Sequence, residues 1–463
     1  MKSLSRSLWH LAVGACLLFA IAGPFPNLIA AERSAPPAPA PDGGASWRLW
    51  GGPGADFRVA SGPLAESWPT NGPARLWSRP LGDGYSGIAA EDGVLYTAYR
   101  RETNDVVVAL DAATGRTLWE TAYPAPFSSG WPEEVGPGPY AMPEVVGDRL
   151  VMAGSNGQLL SLDKRTGKII WHHDLWDETF TGTRLSFGYS CHVLPYKRTL
   201  IALVGTRRIK ESTNAPPAGG SVVALRADDG GVVWKGLTFT NAHSSPKLIT
   251  VDGQPQVVAL VAQEVVAFSP EDGTFYWSHP HPNEYGLAIS QPIWGPDNIL
   301  VISTAYGGGA RGLRLRQAAG RTTVEELWRS SRIQCHFGSM ILDGHHAYVS
   351  SGQSGPGFLI AFDVRSGTVR WQERGFGKAQ LVAADGKLVL LDEEGVLGLV
   401  RAKPERLEIL ARAPVLKKVA WTPPTLVGTR LYVRDRETIM ALELGNRPAA
   451  DRALMRASLP GQP

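Results

Sequence analysis

"ALDAATGRTLWE", residues 109–120, decides the fold of this chain. An apolar run leads into Asp111, a short polar turn closes on Gly115, and a second run carries Trp119 four residues after that glycine. A hairpin turn of three to five residues commonly needs a positive φ at its last position, where a side chain is costly and glycine is not. The stretch therefore reads as a β-hairpin whose far strand ends in a large apolar anchor. The same frame recurs as "SLDKRTGKIIW" (161–171), "ALRADDGGVVW" (224–234), "AFSPEDGTFYW" (267–277) and "AFDVRSGTVRW" (361–371).

Recurrence at this spacing marks an array of supersecondary units. Two more units are degenerate. "LRLRQAAGRTTVEELW" keeps Trp328 after a lengthened turn, and "LGLVRAKPERLEILA" puts aliphatic residues where Trp would stand. An eighth unit appears only if the two ends are joined, because "GTRLYVRDRETIMALEL" (428–444) lacks a Trp strand and "PARLWSRPL" (73–81) supplies one around Trp77. The expected fold is all-β: an eight-bladed β-propeller of four-stranded antiparallel blades, closed by the N-terminal strand joining the C-terminal blade. Such closure removes exposed sheet edges.

The chain ends bound the rest. Lys2 and Arg6 precede an apolar run from Leu11 to Gly23, with Ala30 and Ala31 before Glu32, so residues 1–31 read as a cleaved signal peptide. A second reading takes Val13-Gly14-Ala15-Cys16 as a lipidation signal that anchors the chain through Cys16. Residues 32–46 are a Pro/Ala-rich linker, 47–445 the propeller and 446–463 a flexible tail. No later run is apolar and long enough to span a membrane, so a periplasmic or secreted monomer is expected. Lys plus Arg number 46 against 43 Asp plus Glu, which implies no nucleic-acid partner. The mature chain keeps Cys191 and Cys335, read as buried thiols on separate blades.

With Asp111 to Trp119 and Asp163 to Trp171 as its cleanest copies, the repeat resembles the tryptophan-docking motif of quinoprotein-type (PQQ-like) eight-bladed propellers. That fold family includes quinoprotein alcohol dehydrogenases, which are enzymes, and the outer-membrane assembly lipoprotein BamB, a binding scaffold. The resemblance implies that Trp77, Trp119, Trp171, Trp234, Trp277, Trp328 and Trp371 are structural, each packing on the neighbouring blade. It also sets out what a dehydrogenase would need: PQQ in the channel beside adjacent cysteines, with Ca²⁺ on acidic and amide oxygens. No adjacent cysteine pair exists here, and Glu144 is the nearest channel carboxylate, so no cofactor is expected.

Function is sought instead in the strand that opens each blade and lines the channel. Aligning "GYSG" (84), "PYAM" (139), "GYSC" (188), "AHSS" (242), "CHFG" (335) and "AWTP" (420) places Tyr85, Tyr140, Tyr189, His243, His336 and Trp421 at one level, with Lys378 close by. Two readings stay open for this group. It is a channel plug whose members satisfy one another, or a mouth that stacks and hydrogen-bonds a small glycan or aromatic ligand. Gly307-Gly309-Gly312 reads as a turn, since a strand and not a helix follows. His279 and His281 in "SHPHPNE" read as a solvated interblade loop. The favoured function is a non-catalytic exported scaffold for an envelope protein or small ligand, with a PQQ-dependent oxidoreductase as the alternative.

Overall fold

Each copy of the hairpin frame folds into the outer half of a four-stranded antiparallel sheet in the computed structural model, which describes residues 46–446 apart from 127–134, 181, 183, 186, 206–219, 354–356 and 418. The expected signal segment and nearly all of the linker and of the C-terminal tail lie outside the described residues. Eight such sheets form. Blades 1 to 7 open with the inner strands Ala89–Glu91, Glu144–Val146, Leu194–Tyr196, Lys247–Val251, Ile293–Gly295, Met340–Asp343 and Ala379–Ala384. They close with the outer strands Thr117–Pro124, Ile169–Asp174, Val232–Gly236, Phe275–Pro280, Arg321–Ser330, Val369–Glu373 and Arg406–Pro414. Blade 8 takes Thr425–Val427, Arg430–Arg434 and Thr438–Glu443 from the C-terminal end and its outer strand, Ala74–Pro80, from the N-terminal end. The ring is closed as the sequence implied.

The turn glycines have two reasons to be glycine. Gly115, Gly167, Gly230, Gly273 and Gly367 all sit at φ between 68 and 74°, where a Cβ is disfavoured. Each also lies flat under the indole of the preceding blade: a Cβ on Gly167 would come 2.4 Å from the Trp119 ring, and one on Gly115 2.6 Å from Trp77. Four of these indoles, and Trp371, also hydrogen-bond the neighbouring turn. Trp77 Nε1 donates to the Ala112 carbonyl at 3.0 Å, Trp119 to Lys164 at 3.1 Å, Trp171 to Ala227 at 3.1 Å, Trp328 to Val364 at 2.7 Å and Trp371 to Lys403 at 2.7 Å. Trp277 faces the lengthened turn of blade 5 and turns back to Gln256 of its own blade, at 2.8 Å.

Each Trp also needs room within its own sheet. A β-bulge immediately precedes it on its strand, and its cross-strand partner is small: Ala109 opposite Trp119, Ser161 opposite Trp171, Ala224 opposite Trp234, Gly312 opposite Trp328. Blade 7 inverts the pair, setting Leu399 opposite Ala411. Its sheet keeps one large apolar group per pair while carrying it on the other strand.

Ring closure is sealed by Arg434, which is fully buried. Its guanidinium donates to the carbonyls of Gly82, Gly84 and Ala98 and to Thr97 Oγ1, so a side chain of blade 8 binds the backbone around the start of blade 1. Burial pushes its pKa down to about 10, offset by the negative charges of Asp435 and Asp83, so it stays charged at neutral pH. Gly307 and Gly309 form the turn before the strand Gly309–Ala318, with no helix after them. The reading of His279 and His281 as a solvated loop is corrected. His279 lies on the outer strand of blade 4, and His281 is fully buried, its Nε2 3.1 Å from Thr304 Oγ1. The flanking prolines had suggested an open loop, but the segment folds inward under blade 5.

Replacing Trp119 with Ala should destabilise the fold by about 3–5 kcal/mol. Trp234→Ala should cost clearly less, because that ring is only partly buried and its Nε1 has no partner. Denaturant unfolding of the two variants measures the difference, and equal losses would contradict the docking role given to the indole hydrogen bond.

Candidate functional site

In five blades the residue four positions before the inner strand lies at the rim of the channel. Tyr85 precedes Ala89 in this way, Tyr140 precedes Glu144, His243 precedes Lys247, His336 precedes Met340 and Trp421 precedes Thr425. The corresponding residue of blade 3 is Ser190, not Tyr189. Tyr189 stands one position earlier, and that slip turns its side chain to the other face. It is 1% exposed within the core and donates its hydroxyl to the Leu203 carbonyl at 3.0 Å. Tyr189 is therefore withdrawn from the mouth, because the shared "GYS" string aligned letters rather than strand register.

The remaining rings join into an arc. Tyr140 stacks on Tyr85 with centroids 5.8 Å apart, and Tyr85 stacks on Trp421 at 5.0 Å. Trp421 then meets Phe337 at 5.4 Å, Phe337 meets His336 at 5.3 Å, and His336 meets Tyr306 at 5.1 Å. Tyr285, 61% exposed, ends the arc edge-on to Tyr306. On the opposite side His243 packs edge-on against Phe187. Phe337, Tyr306, Tyr285 and Phe187 were missed in the sequence, because three of them belong to connecting loops that no strand alignment covers.

Charges at the rim are neutralised in pairs. Arg436 binds Asp83 through two nitrogens, at 2.7 and 2.6 Å, and lies over the Tyr85 ring. Lys378 Nζ lies 2.7 Å from Glu393 Oε1, while the other oxygen of Glu393 accepts from Trp421 Nε1 at 3.3 Å. Both imidazoles are pushed down to about 4 by burial and stay neutral. His336 Nε2 meets the Tyr306 hydroxyl at 2.8 Å and His243 Nδ1 meets Ser190 Oγ at 2.8 Å. Their second nitrogens, His336 Nδ1 and His243 Nε2, are buried with no partner among the described residues.

The other end of the channel is floored by residues 46–65, a segment the sequence reading left without a role. Trp47 exchanges two backbone hydrogen bonds with Ala90 of blade 1, and the Arg48 carbonyl accepts from Val145 of blade 2. Trp50 stacks on His192 of blade 3 at 4.2 Å and donates its backbone N–H to Glu144 Oε1. Lys247 of blade 4 donates to the Ala55 carbonyl at 2.6 Å, and Phe57 and Val59 pair with Ala383 of blade 7. Floor and rim approach each other around a small cavity touched by Trp50, Phe57, Lys247 and Phe337.

Against this geometry the relatives can be set. The sequence profile of the outer membrane protein assembly factor BamB family matches residues 40–201 and 202–423. The chain belongs to that family. BamB of Burkholderia pseudomallei is 26% identical over 274 residues, which is 56% of this chain and 62% of the relative's length. The crystal structure of BamB from Moraxella catarrhalis superposes with a TM-score of 0.54 at 17% identity, covering 80% of this chain and 99% of that one. The quinohemoprotein alcohol dehydrogenase of Comamonas testosteroni shares the fold at a TM-score of 0.60 and 12% identity, over 87% of this chain and 81% of that one.

The channel of this BamB-family chain does not fit PQQ with Ca²⁺. Cys191 and Cys335 are separate thiols, each raised to about 12 by burial. Cys191 Sγ donates to the Ala242 carbonyl, while His192 faces the floor. Glu144 is buried against Trp50, one of its oxygens already accepting from the Trp50 N–H of the floor segment. Among the described residues no three His, Cys, Asp or Glu side chains converge.

Glu144 carries a stability prediction. Its pKa rises from 4.5 in the unfolded chain to about 8 in the fold, so the native state holds the extra proton between those values and loses stability as pH rises through that window. Lys247, lowered from 10.5 to about 8, loses its own penalty only above that range. Between pH 5 and 8 the Tm of Glu144→Gln should therefore gain on that of the parent as pH rises, as thermal melts of both across this range will show.

Proposed function

We propose that this chain is a non-catalytic scaffold exported to the cell envelope, where it binds another protein during assembly of the outer membrane. The observation that carries the reading is the family match, which runs across nearly the whole propeller. The geometry supports it. The indole-to-turn contacts make a rigid ring, and the inner channel is occupied by the chain's own residues Trp47, Trp50 and Phe57 rather than by residues suited to redox chemistry. Export would follow from the N-terminal signal segment, with the Cys16 lipid anchor as the competing route; no helix of the described residues is long and apolar enough to cross a membrane.

Removing the gene from its host should lower the abundance of outer-membrane proteins while leaving cytoplasmic proteins unchanged, measured by quantitative proteomics of separated fractions. Unchanged outer-membrane levels would overturn the reading. Purified protein mixed with PQQ and Ca²⁺ should show no dye-linked alcohol oxidation, and such activity would restore the oxidoreductase alternative.

A further inference from the structure

On the floor side of the ring a cavity of about 330 Å³ opens between the inner strands of blades 6 and 7, beside the floor residues Arg58, Val59 and Ala60. The C-terminal end of the propeller is held at its wall. Gly445 pairs with Leu64, and the Leu444 carbonyl accepts from the Ala65 N–H at 2.7 Å. Leu64 donates its own backbone N–H to Asp385 Oδ2 at 2.9 Å, and Lys387 Nζ lies 2.6 Å from the same oxygen. Asp385 and Lys387 both line the cavity. The described chain stops at Asn446, so residues 447–463 depart from the edge of this cavity.

The lining narrows the occupant. An anion finds no uncompensated base, because Lys387 is held by Asp385 and Arg58 is held by Asp343 and the Leu342 carbonyl. The carboxylates have capacity to spare. Asp343 and Glu66 are 64% and 62% exposed, and each uses one oxygen, Oδ1 towards Arg58 and Oε1 towards Lys387 and Arg401. Their second oxygens have no partner among the described residues, whereas Lys387 is only 7% exposed. Half-buried Val59, Ala383 and Ala402 add a small apolar surface. Two cationic groups flanking a short apolar stretch match this wall, and "RALMR" (452–456) has that composition, in a tail with Arg447, Arg452 and Arg456 against Asp451. Leu454 follows Gly445 by nine residues. At about 3.3 Å per residue that is a reach of roughly 30 Å, well beyond the far wall of such a cavity. A tether of this kind supplies an effective concentration on the order of mM, so a few modest contacts suffice to seat it.

We propose that residues 452–456 of the C-terminal tail dock in this cavity, with Leu454 and Met455 against Val59, Ala383 and Ala402, and with Arg452 and Arg456 on Asp343 and Glu66. The tail then fastens blade 8 to blades 6 and 7 across the floor, a second closure beside the pairing of Ala74–Pro80 with Thr438–Glu443. This docking goes beyond the assembly reading and does not depend on it: the tail closes on its own ring whether or not the chain binds another protein.

Disulfide trapping in the full chain tests it. Ala60 is an exposed residue of the cavity wall, and Phe275 is exposed on the outer strand of blade 4. Under mild oxidation Ala60→Cys combined with Ala453→Cys should give an intramolecular link, identified by mass spectrometry of the joined peptides. Phe275→Cys combined with Ala453→Cys should give none. Docking is separated from mere nearness of the tether by two changes in the tail. Leu454→Asp should slow the link between positions 60 and 453 about fivefold, and Arg452→Glu with Arg456→Glu about threefold, at unchanged Tm. A link between positions 60 and 453 no faster than that between 275 and 453 would overturn the proposal. So would a rate that neither tail change alters, which is the behaviour of a tether that only passes nearby. Disulfide-linked dimers in place of the intramolecular link would also overturn it, since they would give the cavity to the tail of a second copy.

Discussion

The contact between one blade's indole and the next blade's turn is the interaction on which the rest depends. It needs a large flat ring, a turn with no Cβ beneath it, and a carbonyl in reach of Nε1. Gly167 under Trp119, with the Lys164 carbonyl beside it, supplies all three. Because each contact joins a blade to its neighbour, the set behaves as a run of nearest-neighbour staples, interrupted where Trp277 turns back to Gln256 and where blade 7 carries Ala411 in place of Trp. At the seam Arg434 adds to the Trp77 contact, using charge because there the backbone carbonyls of Gly82, Gly84 and Ala98 converge on one point.

A stiff ring leaves two ends of a channel to be dealt with, and this chain treats them differently. At the end bearing the turns after the inner strands, the segment 46–65 pairs with strand edges of blades 1, 2 and 7 and buries Trp47 and Phe57. That end is finished in the currency of backbone hydrogen bonds and apolar area. At the other end rings stack on rings and acids pair with bases.

Much of this was legible in the linear chain, for a physical reason. The turn glycines and docking tryptophans act through short-range geometry, so their spacing survives as a string, and even the shared eighth blade could be read from a missing strand at each end. A further signal went unused: the small residue opposite each Trp, Ala109, Ser161, Ala224, Ala267 or Ala361, is written in the strand before the turn. At the mouth the string misled once. "GYS" at 188 matches "GYS" at 84 by letter, but strand register puts Ser190 on the rim and sends Tyr189 into the core.

The sequence by itself determined the repeat, the number of blades and the way the ring closes, because each of these rests on contacts between residues at fixed separations along the chain. Only the tertiary structure decided that residues 46–65 floor the channel, that Tyr306 and Phe337 extend the aromatic arc, and that Lys378 and Arg436 are neutralised by Glu393 and Asp83. Those partners come from different blades and loops at no constant spacing. They meet because the ring brings them to one axis, and a property of the axis has no counterpart in any single repeat.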